Sequence, residues 1–174
     1  MDWMQTLLDV IDFRSFSNLW FWIMLAVVWS SATHRILGVP FDMVLRARQQ
    51  GGQALADLED LVRIQVNRIL FIAEMSGLLI AATLAFGVTT LMVLAFWYGV
   101  EFAQAVVLIA VPLAAVGALS LVTARRIARQ APEGEALFRT LARHRAWVQG
   151  IGLVSIFVTA LYGMYQNLLV LQGL

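Results

Sequence analysis

The chain has no cysteine and no lysine, only three prolines, and two histidines among its 174 residues. Without cysteine it holds no disulfide, no thiolate zinc site, no cysteine-ligated iron–sulfur cluster and no thiol nucleophile. Charge is scarce too: 13% of the residues, about half the share of an ordinary globular domain. The net charge of +1 gives no bulk attraction for nucleic acid. Gly51-Gly52 and Gly150-Ile151-Gly152 lack the strand–turn–helix setting of a phosphate-binding loop. No pattern fits nucleophilic catalysis or zinc hydrolysis, so the expectation is a non-enzymatic protein without a cofactor.

What the chain has in excess is apolar surface. Hydrophobic residues make up 61% of it, and the mean hydropathy is +0.81. A soluble domain of this length cannot hide so much apolar surface, whereas a bilayer can. The expected fold is all-α: a single polytopic membrane domain of four transmembrane helices in a bundle, with short interfacial and cytoplasmic helices. A span needs about 20 apolar residues to cross roughly 30 Å of hydrocarbon. Four stretches meet this, at about 18–37, 69–97, 103–122 and 147–171. Trp20, Trp22, Trp97, Tyr98 and Trp147 lie near their ends, as an aromatic belt does.

Arginine sets the orientation. Eleven of the twelve basic residues fall at the end of the first span or in the loops 38–68 and 123–146; only Arg14 lies elsewhere. Positive residues stay in the cytoplasm. Both loops are therefore expected there, with both termini and the Tyr98–Glu101 turn outside. Met1 to Phe16 carries Asp2, Asp9 and Asp12 against Arg14, which is unlike a secretory signal. Trp3, Met4, Leu7, Leu8 and Ile11 recur there at helical spacing, which predicts an interfacial helix.

Loop one predicts a short helix from Phe41 to Gln50, broken at Gly51-Gly52. A second helix then runs from Gln53 into span two without interruption, about 65 Å as far as Trp97. Its stripe of Leu55, Leu58, Val62, Val66 and Ile69 either packs on loop two or offers a docking surface for another protein. In loop two, Pro132 followed by Glu133 and Glu135 starts a helix. Leu137 and Leu141 suggest that this helix lies along the interface before entering span four. The arginines of this loop are enough to attract anionic headgroups, although topology alone explains them.

Polar residues within the spans are the candidate sites. Gln149, Gly152, Ser155, Thr159, Tyr162 and Gln166 share one face of span four. Lipid cannot satisfy their hydrogen bonds, so that face looks into the bundle, as interhelical glue or as a cavity lining. Glu74 is the only carboxylate inside a span, with His34, Arg35 and Arg145 as candidate partners at the same depth. Such a group either handles protons or a ligand, or forms a structural pair near the interface, or snorkels to water. His34 and His144, at one depth on different helices, could hold a b-type haem. Ala73, Gly77, Ala81 and Ala85 form a small-residue stripe on span two, with Ala110, Ala114 and Ala118 on span three. Such stripes let backbones approach, so a bulky residue at Gly77 is expected to push a partner helix away.

Four segments carry a resemblance: Ile11-Asp12-Phe13-Arg14-Ser15-Phe16-Ser17-Asn18-Leu19-Trp20, Gly38-Val39-Pro40-Phe41-Asp42-Met43-Val44, Tyr98-Gly99-Val100-Glu101-Phe102-Ala103-Gln104-Ala105 and Gly163-Met164-Tyr165-Gln166-Asn167. Over nearly its full length the chain resembles a family of small membrane proteins from alphaproteobacteria of the Rhodobacter–Roseobacter group, often labelled "component of SufBCD complex". The resemblance implies a bacterial inner-membrane location and a link to iron–sulfur cluster assembly. It brings no functional residues. The leading expectation is an accessory or scaffold protein acting through helix packing and its arginine-rich loops, with the bilayer and either a protein partner or a second copy as its contacts. The alternatives are a small transporter or channel subunit using Glu74 and the polar face of span four, and a haem- or quinone-binding redox subunit.

Overall fold

A computed structural model describes Phe16 and residues 18–171, with side chains followed to Leu168. The interfacial helix expected before Phe16 lies outside the described residues. Five α-helices account for most of the chain. Helix α1 (Leu19–His34) starts at Asn18, whose side chain accepts a hydrogen bond from the Trp20 amide at 3.0 Å. Here the structure departs from the expected first span. The helix stops after 16 residues, at His34, and the chain turns into a minimal antiparallel ribbon of β1 (Arg35–Ile36) and β2 (Val39–Pro40). Leu37 and Gly38 both take positive φ, 52° and 85°, as a two-residue hairpin turn demands. Leu37 adopts this unfavourable backbone while its side chain is buried.

Helix α2 (Phe41–Gln50) ends where the sequence predicts, at Gly51 and Gly52, both left-handed. Glycine enters that region without steric cost, and the Gly51 amide closes the helix on the Ala47 carbonyl at 2.9 Å. Helix α3 (Gly52–Met92) then runs unbroken into a π-helical turn, Val93–Trp97, 46 residues in all. Helix α4 (Glu101–Gln130) contains Pro112 and ends on Ala131, itself left-handed. Helix α5 (Gly134–Leu171) follows Pro132. Its first free amide, on Gly134, donates to Glu59 Oε1 at 2.9 Å, so a carboxylate from α3 meets the positive end of the α5 dipole.

The helices divide into two tiers. At the arginine-rich end, Ile36, Val39 and Val44 pack with Leu58, Val62 and Val66 of α3, Ala124 and Ile127 of α4, and Leu137 and Leu141 of α5. The apolar stripe of α3 is thus internal core, not a docking face. Leu137 and Leu141 belong to the same core, and α5 is one continuous helix, so no separate interfacial helix precedes span four. Beyond this tier the contacts run from α3 to α4, α4 to α5 and α5 to α1. Large apolar side chains there face outward: Leu78 is 88% exposed and Trp97 84%. A water-soluble protein does not carry so large an apolar surface. Three helices, within Gly52–Trp97, Glu101–Gln130 and Gly134–Leu168, are long and apolar enough to cross a membrane. Helix α1 is apolar but shorter, about 24 Å at the helical rise.

Candidate functional site

The polar face of α5 is built into helix contacts. Proline has no amide hydrogen, so Pro112 leaves the carbonyl of Leu108, four residues earlier, without its helical donor. Ser155 reaches across from α5 and donates to that carbonyl at 3.2 Å. Ser155 is buried, and in hydrocarbon nothing else could supply the bond.

A second freed carbonyl lies at the far end of α3. The last carbonyls of a helix lack intrahelical donors, and here the π-helical turn stands at that end. Gln104, buried on α4, donates from Nε2 to the Ala95 carbonyl at 2.8 Å. Its Oε1 accepts from Gln166 Nε2 at 2.8 Å, and the Gln166 amide lies 2.9 Å from the Tyr162 hydroxyl. The chain of contacts therefore joins α3, α4 and α5. Beside it, Glu101 Oε1 accepts from the Phe16 amide at 2.8 Å, and Trp22 Nε1 donates to the Phe16 carbonyl at 3.1 Å. The ring of Phe16 meets that of Tyr162 edge-on at 5.6 Å.

The seam between α1 and α5 is close because α5 offers glycine. A Cβ added at Gly152 would stand 2.7 Å from Trp29 Cε3, and one at Gly163 3.2 Å from Phe16 Cδ1. Thr159, fully buried, and the Trp29 indole nitrogen have no hydrogen-bond partner among the described residues. Gln149, the first residue of the predicted stripe, is exposed and takes no part.

The other predicted residues are not brought together. Glu74 is exposed on α3, and no ion pair or hydrogen bond engages it among the described residues. His34 and Arg35 are exposed at the end of α1 and in β1. Arg145 instead lays its guanidinium over the Phe41 ring, 3.7 Å from the centroid, tying α5 to α2. The expected pairing of Glu74 with these groups is absent among the described residues, because the basic side chains at that depth are committed to the helical core or to solvent. His144 is buried against α4, its Nδ1 3.0 Å from Thr123 Oγ1. The Thr123 hydroxyl spends its proton on the Leu119 carbonyl at 2.9 Å, so Nδ1 is the donor in the pair.

Of the small-residue stripes, Ala73, Gly77 and Ala81 face Ala110, Ala114 and Ala118 across an apolar cleft of about 640 Å³. The stripes line a gap rather than interlock, and Ala85 is exposed beyond it. A Cβ added at Gly77 meets nothing within 4 Å, so the clash expected there has no counterpart inside the chain. Helices α3 and α4 touch instead at either end of the cleft, through the arginine-side core and through Leu91, Ala95, Ala103 and Val107.

Sequence reasoning missed Gln104, Pro112 and Thr123. Their signal was present: a glutamine and a proline inside apolar runs each leave a hydrogen-bonding group that another helix must meet. No family model, curated protein or solved structure matches the chain.

Proposed function

We propose that the chain is a non-enzymatic accessory or scaffold protein of a bacterial inner membrane, with four spans and both termini outside. The observation that carries this reading is the fate of the polar face of α5. Ser155, Tyr162 and Gln166 direct hydrogen bonds to neighbouring helices or to each other, as interhelical glue does. For the fourth span, support comes from depth. Helix α1 lies antiparallel to α5, with Phe16 at Gly163 and Trp29 at Gly152, alongside the apolar half of that helix. For orientation, support comes from charge, since Arg46, Arg63, Arg126 and Arg143 lie on the helices that build one core.

Glu74 favours a role as a subunit. A carboxylate facing lipid is costly, and this one lies about 9 Å along the helix from Arg68. A donor from a second protein would relieve it. Purification in mild detergent with mass spectrometry of co-purifying proteins tests the reading. The expected result is a defined partner lost in Glu74→Leu and retained in Glu74→Gln, whose amide still hydrogen-bonds. Proton or solute flux in vesicles that disappears in Glu74→Gln would overturn the scaffold in favour of a transporter.

A further inference from the structure

Where α4 and α5 converge at the arginine-rich end, a groove of about 620 Å³ opens on one side of the core. Three of its side chains are guanidinium groups of α4, from Arg125, Arg126 and Arg129, and a fourth is Arg143 of α5. None of the four has a carboxylate within ion-pairing distance among the described residues; the ion pairs there use Arg48, Arg63 and Arg139. The acidic side chains lie elsewhere. Glu59, Asp60 and Glu133 line a separate cleft between α3 and the end of α4, and no acidic residue lines the groove. Four like charges converging on one concavity repel one another, and an anion placed among them removes that cost.

The walls are graded. The floor is the buried Thr123–His144 pair. Toward the apolar half of the molecule the lining becomes Leu119, Val122 and Trp147. Val122 lies one turn from Arg126, and Leu119 about one turn further, so cationic and apolar walls are separated by about 5 to 10 Å along α4. Val122 and Trp147 are mostly exposed, open to whatever fills the groove. A soluble phosphate would use the arginines and leave this apolar end bare. A phospholipid uses both.

We propose that the groove binds one anionic membrane phospholipid, its phosphate among Arg125, Arg126, Arg129 and Arg143 and its acyl chain against Leu119, Val122 and Trp147. This goes beyond the scaffold reading but rests on its membrane placement, with this end of α4 and α5 at the cytoplasmic surface. It makes the protein a reader of anionic lipid at that surface.

The test uses the full chain purified in a neutral maltoside micelle, where no charged surface attracts arginines in general. Phosphatidylglycerol, phosphatidylcholine or inorganic phosphate is added, and native mass spectrometry reads the occupancy. The expected result is one retained phosphatidylglycerol, little phosphatidylcholine and no effect of phosphate. Replacing Arg126, Arg129 and Arg143 by glutamine should weaken binding on the order of 100-fold, from about fivefold per arginine. Replacing Arg35, Arg46 and Arg68, exposed at the same end, removes equal charge and should leave it unchanged. The single change Arg129→Gln, fivefold in expectation, keeps the test valid should the triple variant not fold. Equal losses in both triple variants, equal binding of phosphatidylcholine, or competition by phosphate alone would each overturn the proposal. Carbonate extraction of native membranes separates the two readings: a released protein sinks the membrane placement, while one that is retained but ignores phosphatidylglycerol sinks only the groove.

Discussion

Removing the Ser155 hydroxyl should destabilise the protein only because Pro112 is there. The Leu108 carbonyl has lost its helical donor to Pro112 and takes a hydrogen bond from Ser155 at 3.2 Å instead. A buried acceptor left unsatisfied costs about 1–3 kcal/mol in soluble proteins. Hydrogen bonds between membrane helices average nearer 0.6 kcal/mol and reach about 1.7. Ser155 is 5% exposed, so water cannot step in, and Ser155→Ala should cost about 1 kcal/mol. Pro112→Ala restores an amide hydrogen four residues from Leu108. In that background Ser155→Ala should cost less than about 0.3 kcal/mol, leaving a coupling of roughly 0.7 kcal/mol. Equilibrium unfolding in mixed micelles, with the four proteins of the double-mutant cycle, measures it. If Ser155→Ala costs the same with alanine at position 112 as with proline, the serine does not serve the freed carbonyl and the reasoning fails.

Gly152→Ala should destabilise by about 1–3 kcal/mol, since its Cβ would stand 2.7 Å from the Trp29 ring, whereas Gly150→Ala, with nothing within 4 Å, should be neutral or mildly stabilising. Thermal unfolding in detergent distinguishes them, and equal effects would mean that α1 does not pack on α5 at this depth. Gly77→Leu should leave the yield and melting temperature of the isolated chain unchanged, because the cleft is open there. Loss of a co-purifying subunit in the same variant would place that partner in the cleft. Reporter fusions after Gln50 and Gln130 should read cytoplasm and a fusion after Leu174 periplasm; a cytoplasmic C-terminus would sink the orientation.

Periodicity and charge made much of this fold legible. The bounds of α2, the uninterrupted run of α3 and the start of α5 after Pro132 follow from glycine, proline and apolar spacing, all local signals. What was not legible depends on neighbours. The early end of α1 is enforced by a hairpin whose Leu37 takes a left-handed backbone while its side chain is buried, which no local preference predicts. Leu137 and Leu141 read equally well as interfacial, until α3 is seen to cover them. The stripe on α5 was visible, but its purpose was not, because half of each contact sits on α4. Glu74 drew attention as a lone carboxylate, yet what settles its surroundings is the direction it faces, and a single sequence does not encode that plainly.

The length of α3 gives the molecule a mechanical property. One rod of 46 residues is held at its first half by the arginine-side core and at its second by the bilayer. Helices tilt to match their hydrophobic length to the thickness of the membrane around them. A rigid helix cannot tilt in one half and stay upright in the other. From Gly52 to Arg68 the rod extends about 25 Å, so a 10° change of tilt swings that tip by about 4 Å. The arginine-side tier would move as one piece with it, because Glu59 pins the start of α5 and Leu58, Val62 and Val66 lock the surrounding helices to the rod. Bilayer thickness thus becomes a displacement that any protein seated on the arginine-rich end would feel, with the helix as lever and the membrane as its fulcrum.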